Sequence, residues 1–252
     1  MEIKQDFKEM TLVEHLDDLR KCVIRVLISV VLGFSAAYYF AEPITYFLLG
    51  PLIKVVGKQS IVYLSIFDKV TVQFHLAFVA GAIISSPLWF WQVWVFIRPA
   101  LHDAEKKVIR PFLVLGFFLF WSGVSFTYYI VLPFAIKMFT SFGLSDIQAN
   151  IDMKEFILVT IKIMFFMGLL FQLPMAMIIM GFMGIVTKQS LRAMRRYIYV
   201  IFTVLAAVLT PPDVISQLIM LLPLIFLFEL GIIFVALIVH PYLHKRSAAL
   251  DT

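Results

Sequence analysis

The chain has 252 residues, 62% of them hydrophobic and only 15% charged, with a mean hydropathy of +0.97. A soluble domain is about half apolar and about a quarter charged, so this composition excludes an ordinary water-soluble globule, and the apolar residues fall in blocks near the ~20 needed to cross ~30 Å of hydrocarbon. The net charge of +5 does not point to nucleic acid, because the basic residues are dispersed between the blocks, and the lone Cys22 excludes an internal disulfide.

About 20 polar and acidic residues precede the first block, which reads against a cleavable leader. Thr11 and Glu14 have capping-box spacing. Beyond them Leu12, Leu16, Leu19 and Val23 share one helical face, while Glu14, Asp17, Asp18 and Lys21 lie largely elsewhere. This predicts an amphipathic helix over 1–22 that runs into a first span at 23–41. Acidic residues there are repelled by anionic lipid and suit a cationic partner. An outer segment with Pro43 and Pro51 follows, then a second span at 72–97. A tight charged loop comes next, with Arg98, His102, Asp103, Glu105, Lys106, Lys107 and Arg110. Glu105 is a second acid at the same surface; the alternative is a local pair with Lys106 or Arg110, or a helix start. Pro111 opens a third span at 111–134.

After a polar outer loop, a fourth span covers 156–180 and contains Gln172 just before Pro174. Lone polar residues inside a span face the bundle. Pro174 frees a backbone carbonyl that Gln172 or a neighbouring helix can satisfy. Lys188, Arg192, Arg195 and Arg196 mark another inner loop. The fifth block, 197–209, is short: at ~1.5 Å per residue it reaches only ~20 Å. Thr210-Pro211-Pro212-Asp213 makes the outer turn, and a sixth span at 214–239 carries Glu229. No basic residue inside the spans is an evident partner for Glu229, which leaves pairing, protonation or a weak proton relay. Thr210 and Gln217 flank the outer turn and suit hydrogen bonds to another helix, in this chain or in a partner.

Lys and Arg concentrate in the N-terminus, the 98–110 and 188–196 loops and the tail, so positive-inside puts both termini in the cytoplasm. The expected fold is all-α: a polytopic membrane protein with six transmembrane helices, N-in and C-in, in one membrane domain over 1–252. His15, His75, His102, His240 and His244 are scattered without metal-ligand spacing, and no hydrolase or phosphate-loop motif is present. The expectation is no metal, no cofactor, no catalytic residue and no nucleic acid.

Several segments together resemble the TatC family, the large integral subunit of the twin-arginine protein translocase. They are HLDDLRK near the start, GPLIK after the first span, QVWVFIRPAL followed by Glu105, then FQLP, RRYIYV, LTPPDVISQ and FELG. Their order and spacing cover nearly the whole chain. The resemblance implies a glove-shaped bundle with a short fifth helix. It implies a signal-peptide receptor and core subunit that exports folded proteins with the proton-motive force, in a bacterial inner membrane. Implied signal-peptide contacts are Asp18, where the family usually has Glu, Glu105, Leu19, Arg20, Phe96 and Gln172, where many members have Glu. Thr210 and Gln217 match a polar site for the single-span subunits TatA and TatB, or a TatA-like equivalent. Pro51, Tyr128, Asp213 and Glu229 match other positions linked to function. Implied partners are twin-arginine signal peptides of folded cargo, those subunits, other TatC copies and the lipid bilayer. An ion-coupled secondary transporter, or a membrane scaffold without cargo recognition, remain as alternatives.

Overall fold

In the computed structural model the described residues are 12–98, 103–141, 150–209 and 214–241. Thr11, Thr210 and Asp213 lie outside them, as do the tail beyond 241 and the side chains of Glu14 and Glu105.

The long apolar blocks form helices because a backbone in hydrocarbon has to satisfy its own N–H and C=O groups. Helix α1 (Leu12–Tyr39) is continuous, so the described part of the amphipathic segment, from Leu12, and the first span are one helix. Helix α2 (Ala41–Val56) follows with Pro51 inside it. The apolar run read from sequence as one span at 72–97 is two helices, α3 (Asp68–Ile84) and α4 (Ser86–Ile97), bent by 55°. The bend has a local cause: Pro87 sits in the first turn of α4 and cannot donate back to Ile83. Helix α5 (Asp103–Phe126) passes through Pro111, so it begins two turns earlier than the proline suggests. A π turn over Thr127–Val131 joins it to α6 (Leu132–Ser141). Helices α7 (Met153–Leu170) and α8 (Leu173–Phe182) are one span broken where Pro174 leaves the Leu170 carbonyl without its usual donor. Helix α9 (Lys188–Leu209) has 22 residues, since its basic stretch is helical as well; only its apolar part is short. Helix α10 (Val214–Phe234) ends in a second π turn, Val235–Val239.

Four of these segments are individually long and apolar enough to cross a membrane, and the bent α3–α4 pair makes five. The short apolar part of α9 falls on the remaining expected span.

Residues small enough for backbone contact hold α1 against α3. A Cβ on Gly33 would sit 2.2 Å from the Gly81 carbonyl oxygen, and one on Gly81 would sit 2.5 Å from Phe34 N. Ala37, Ala77 and Ala80 extend the seam. Close backbone approach is how apolar helices associate when lipid offers no hydrophobic gain. Two cores result. One joins Leu48, Leu52, Leu76, Phe120, Ile157 and their neighbours from α1, α2, α3, α5 and α7. The other joins Ile178, Phe202, Met220, Leu224 and neighbours from α8, α9 and α10. Between α2 and α3 on one side and before α7 on the other, two-residue strands β1 (Ile61–Val62) and β2 (Ile151–Asp152) pair in parallel, Ile61 opposite Ile151. Beside them Lys154 Nζ donates to Asp68 Oδ1 at 2.8 Å, and Ser65 N–H donates to Asp68 Oδ2 at 2.8 Å.

Candidate functional site

Of the twelve residues singled out from sequence, ten fall among the described residues, and they do not form one site; the structure distributes them over five places. The first is where the N-terminal part of α1 meets the C-terminal part of α4. Cys22 Sγ donates to the Gln92 carbonyl at 3.5 Å, which fixes the two antiparallel helices in register. Asp18 lies four residues before this contact on α1, and Phe96 four after it on α4. Both therefore extend one helical turn, ~5–6 Å, in the same direction. Asp18 and Phe96 are half-buried, while Leu19 and Arg20 are exposed. The neighbouring Asp17 is held by Lys21 at 2.7 Å, so of the two adjacent acids Asp17 is already neutralised within its own helix. Helix α5 starts at Asp103, which puts Glu105 in its first turn. Residues 98 and 103 are five apart, a reach of at most ~18 Å. Trp121 Nε1 donates to Ser86 Oγ at 3.1 Å and holds α5 alongside α4.

Gln172 stands apart, deep in the bundle at the α7–α8 break. Its Nε2 donates to the Gly116 carbonyl at 2.9 Å, across a gap that a glycine keeps open. Its Oε1 is buried with no hydrogen-bond partner among the described residues.

The third place revises the picture of Glu229 as a carboxylate without a basic partner. Arg195 Nη2 and Tyr199 O–H both donate to it, each at 2.5 Å, and join α9 to α10. Sequence reasoning put Arg195 in a loop; because α9 is helical from Lys188, Arg195 and Tyr199 lie one turn apart on a single face. Gln217 makes the fourth place: Nε2 donates to the Thr203 carbonyl at 3.0 Å, again between α9 and α10. Thr210 and Asp213 lie outside the described residues.

Pro51 and Tyr128 are brought together as the fifth. Pro51 has no N–H, so the Phe47 carbonyl lacks its i+4 donor. The Tyr128 hydroxyl fills that role at 2.7 Å, and its ring stacks on Phe47 with centroids 4.2 Å apart. The π turn over Thr127–Val131 aims Tyr128 there. The Asp68–Lys154 pair was not singled out from sequence; Asp68 at the head of an apolar run was the only available signal, since the partners are 86 residues apart. Among the described residues no group of His, Cys, Asp and Glu is arranged to hold a metal.

The family model described as Sec-independent protein translocase protein (TatC) matches residues 14–223. The chain is 35% identical to the Sec-independent protein translocase protein TatC of Desulforapulum autotrophicum over 221 residues, 87% of this chain and 82% of that protein. It is 35% identical to the protein of the same name from Helicobacter pylori (strain J99), covering 90% of this chain and 89% of the relative. Against that of Escherichia coli (strain K12) the identity is 32%, with 88% and 87% covered. A crystal structure of the twin arginine translocase receptor TatC superposes with a TM-score of 0.79 at 31% identity, covering 89% of this chain and 99% of that one.

Proposed function

The chain belongs to the TatC family, a multi-pass membrane component of the Sec-independent protein translocase and not an enzyme, and from that premise we propose that its inner α1–α4–α5 end receives the paired arginines of signal peptides. The observation that supports this most directly is the Cys22–Gln92 register, which aligns Asp18 and Phe96 one turn beyond the same contact. Two guanidinium groups need anionic oxygens in a planar fork, and carboxylates supply them bidentately. Asp18 and Glu105 are the two acids offered, with Phe96 as an apolar and aromatic neighbour and with Leu19 and Arg20 on the exposed side of α1. Asp reaches one methylene less far than Glu, so the contact lies closer to α1.

The same proposal includes both termini in the cytoplasm and a bacterial inner membrane, on the distribution of Lys and Arg. It includes six spans with the fifth crossing on the apolar part of α9. Gln172 belongs to the concave wall along which the apolar stretch of the signal peptide lies. Gln217, with Thr210, is the polar contact for the single-span subunits TatA and TatB, and further TatC copies complete a passage that six helices do not enclose. The proton-motive force drives export in this reading.

The test is site-specific photocrosslinking from positions 18 and 105 in membranes, with an Arg-Arg signal peptide and its Lys-Lys counterpart. Crosslinks that are strong with Arg-Arg and fall with Lys-Lys support the assignment. Equal or absent crosslinks with both overturn it and redirect attention to Glu229 and solute uptake.

A further inference from the structure

Helix α9 breaks two local rules at its start. Its first turn has no acidic residue and begins with Lys188, although the positive end of a helix dipole disfavours cations. Arg192 then stands at i+4 from Lys188, where like charges repel. Neither side chain forms an ion pair with another described residue. Violations of this kind collect where a ligand compensates them.

A second observation points to the ligand. Lys188 and Arg192 line a cavity of about 310 Å³ together with Thr187, Gln189 and His240, the last from the end of α10. Among the described residues no carboxylate lines it. The two donors from α9 and the ring from α10 thus converge on one space from two elements, and Leu191, only 5% exposed, anchors the α9 turn between them in the core. The cavity lies where α8 ends and α10 ends, at the level where the chain leaves the apolar bundle. The turn leading into it, at Gly184 with φ of +73°, presents Met183 and Ile185 outward at 44% and 62% exposure. Apolar side chains beside a basic hollow match a molecule with a phosphate at one end and hydrocarbon at the other.

We propose that the cavity formed by Thr187, Lys188, Gln189, Arg192 and His240 binds the phosphate of an anionic phospholipid, with Met183 and Ile185 against the upper acyl chain. Lys188 and Arg192 supply charge, and Thr187 and Gln189 supply neutral donors. Basic pockets between transmembrane helices bind headgroups in this manner. The bound lipid lowers the repulsion between the two cations and ties the α9 start to the α10 end. This assignment does not depend on signal-peptide recognition, which lies on α1, α4 and α5.

The experiment is native mass spectrometry of the full chain released from nanodiscs of phosphatidylglycerol and phosphatidylcholine. Three proteins are compared: the unmodified chain, the double variant Lys188→Gln/Arg192→Gln, and Arg196→Gln, which removes a neighbouring cation that stacks on Tyr197 outside the cavity. Each basic residue near an anionic headgroup contributes about fivefold in binding. Retained phosphatidylglycerol is therefore expected to fall roughly 25-fold in the double variant and to stay near the unmodified level in Arg196→Gln. Equal retention by all three proteins, equal loss in both variants, or equal uptake of phosphatidylcholine would overturn the proposal. A parallel arm adds inorganic phosphate to lipid-free micelles and follows thermal unfolding. Protection by phosphate alone, lost in the double variant, reassigns the cavity to a soluble anion and overturns the lipid occupant. Unfolding curves of the three proteins in phosphatidylcholine alone should coincide, which separates a lost ligand from a lost fold.

Discussion

Replacing Tyr128 with Phe removes one oxygen and leaves the ring stacked on Phe47. What is lost is the 2.7 Å bond to the Phe47 carbonyl, the acceptor left open by Pro51. A buried acceptor without a donor costs about 1–3 kcal/mol. Interhelical bonds in membranes average nearer ~0.6 kcal/mol because the unfolded reference finds other partners. That escape is poor here, since Tyr128 is buried and its partner carbonyl lies on a separate helix 81 residues away in the chain. We expect about 1–2 kcal/mol, read from reversible unfolding of the purified protein in mixed micelles by tryptophan fluorescence. The decisive arm is the double-mutant cycle with Pro51→Ala. Alanine restores an N–H at position 51, which bonds the Phe47 carbonyl within α2 and makes the Tyr128 hydroxyl redundant. Tyr128→Phe should then cost less than ~0.5 kcal/mol, a coupling near ~1 kcal/mol for residues in one network. An equal cost of Tyr128→Phe in both backgrounds would refute the argument that the proline created the acceptor.

Packing and charge set the remaining outcomes. Gly33→Ala places a methyl 2.2 Å from the Gly81 carbonyl, where neither backbone gives way, so the α1–α3 seam should open and the protein should fail to accumulate or unfold at least ~3 kcal/mol more readily. Gly50→Ala, whose Cβ meets only the Tyr128 hydroxyl at 3.5 Å, should be tolerated in the same abundance and unfolding assays. Glu229→Gln leaves the Arg195 guanidinium without its carboxylate; with side chains 40% and 30% exposed the cost should be about 1–2 kcal/mol, below that of a fully buried pair. Arg195→Gln/Glu229→Gln should recover part of it in thermal unfolding, and a double variant less stable than either single would contradict the pairing.

The membrane character of the fold was legible because hydropathy is local: the apolar blocks and the FQLP break announce themselves in short windows. What escaped was set by partners far off in sequence. The segment with Pro43 and Pro51 is placed by sequence only as an outer segment, with no secondary structure assigned; Ala41–Val56 within it is helical, and Tyr128 donates to the carbonyl that Pro51 leaves open. The run 72–97 has no polar interruption strong enough to suggest two helices, and only Ser85-Ser86-Pro87 marks the bend. Glu229 looked isolated because Arg195 was assigned to a loop; had the basic stretch been read as helix, Arg195 and Tyr199 would have shared a face. The strands β1 and β2 are two residues each and carry no periodicity. Of the proposed site, Asp18, Leu19, Arg20, Phe96 and Glu105 stand in segments that the family resemblance marks, but the register of Asp18 against Phe96 rests on a thiol–carbonyl contact between α1 and α4 that no spacing encodes.

The two cores differ in how the ribosome delivers them. The core of α8, α9 and α10 draws on residues 167–239 with Trp94 as its one distant member, so most of its contacts are local and form soon after that stretch is made. The other core needs α1 and α7 together, and its last members, Ile157, Ile161 and Met164, arrive only after more than half of the chain has been synthesised. Until then α1, α3 and α5 stand in the bilayer, with α2 beside them, and the seam next to Phe120 and Leu76 is unfilled. The interval between α5 and α7 is thus the stage at which an insertion factor has an exposed surface to shield, and the pairing of β1 with β2 marks its end.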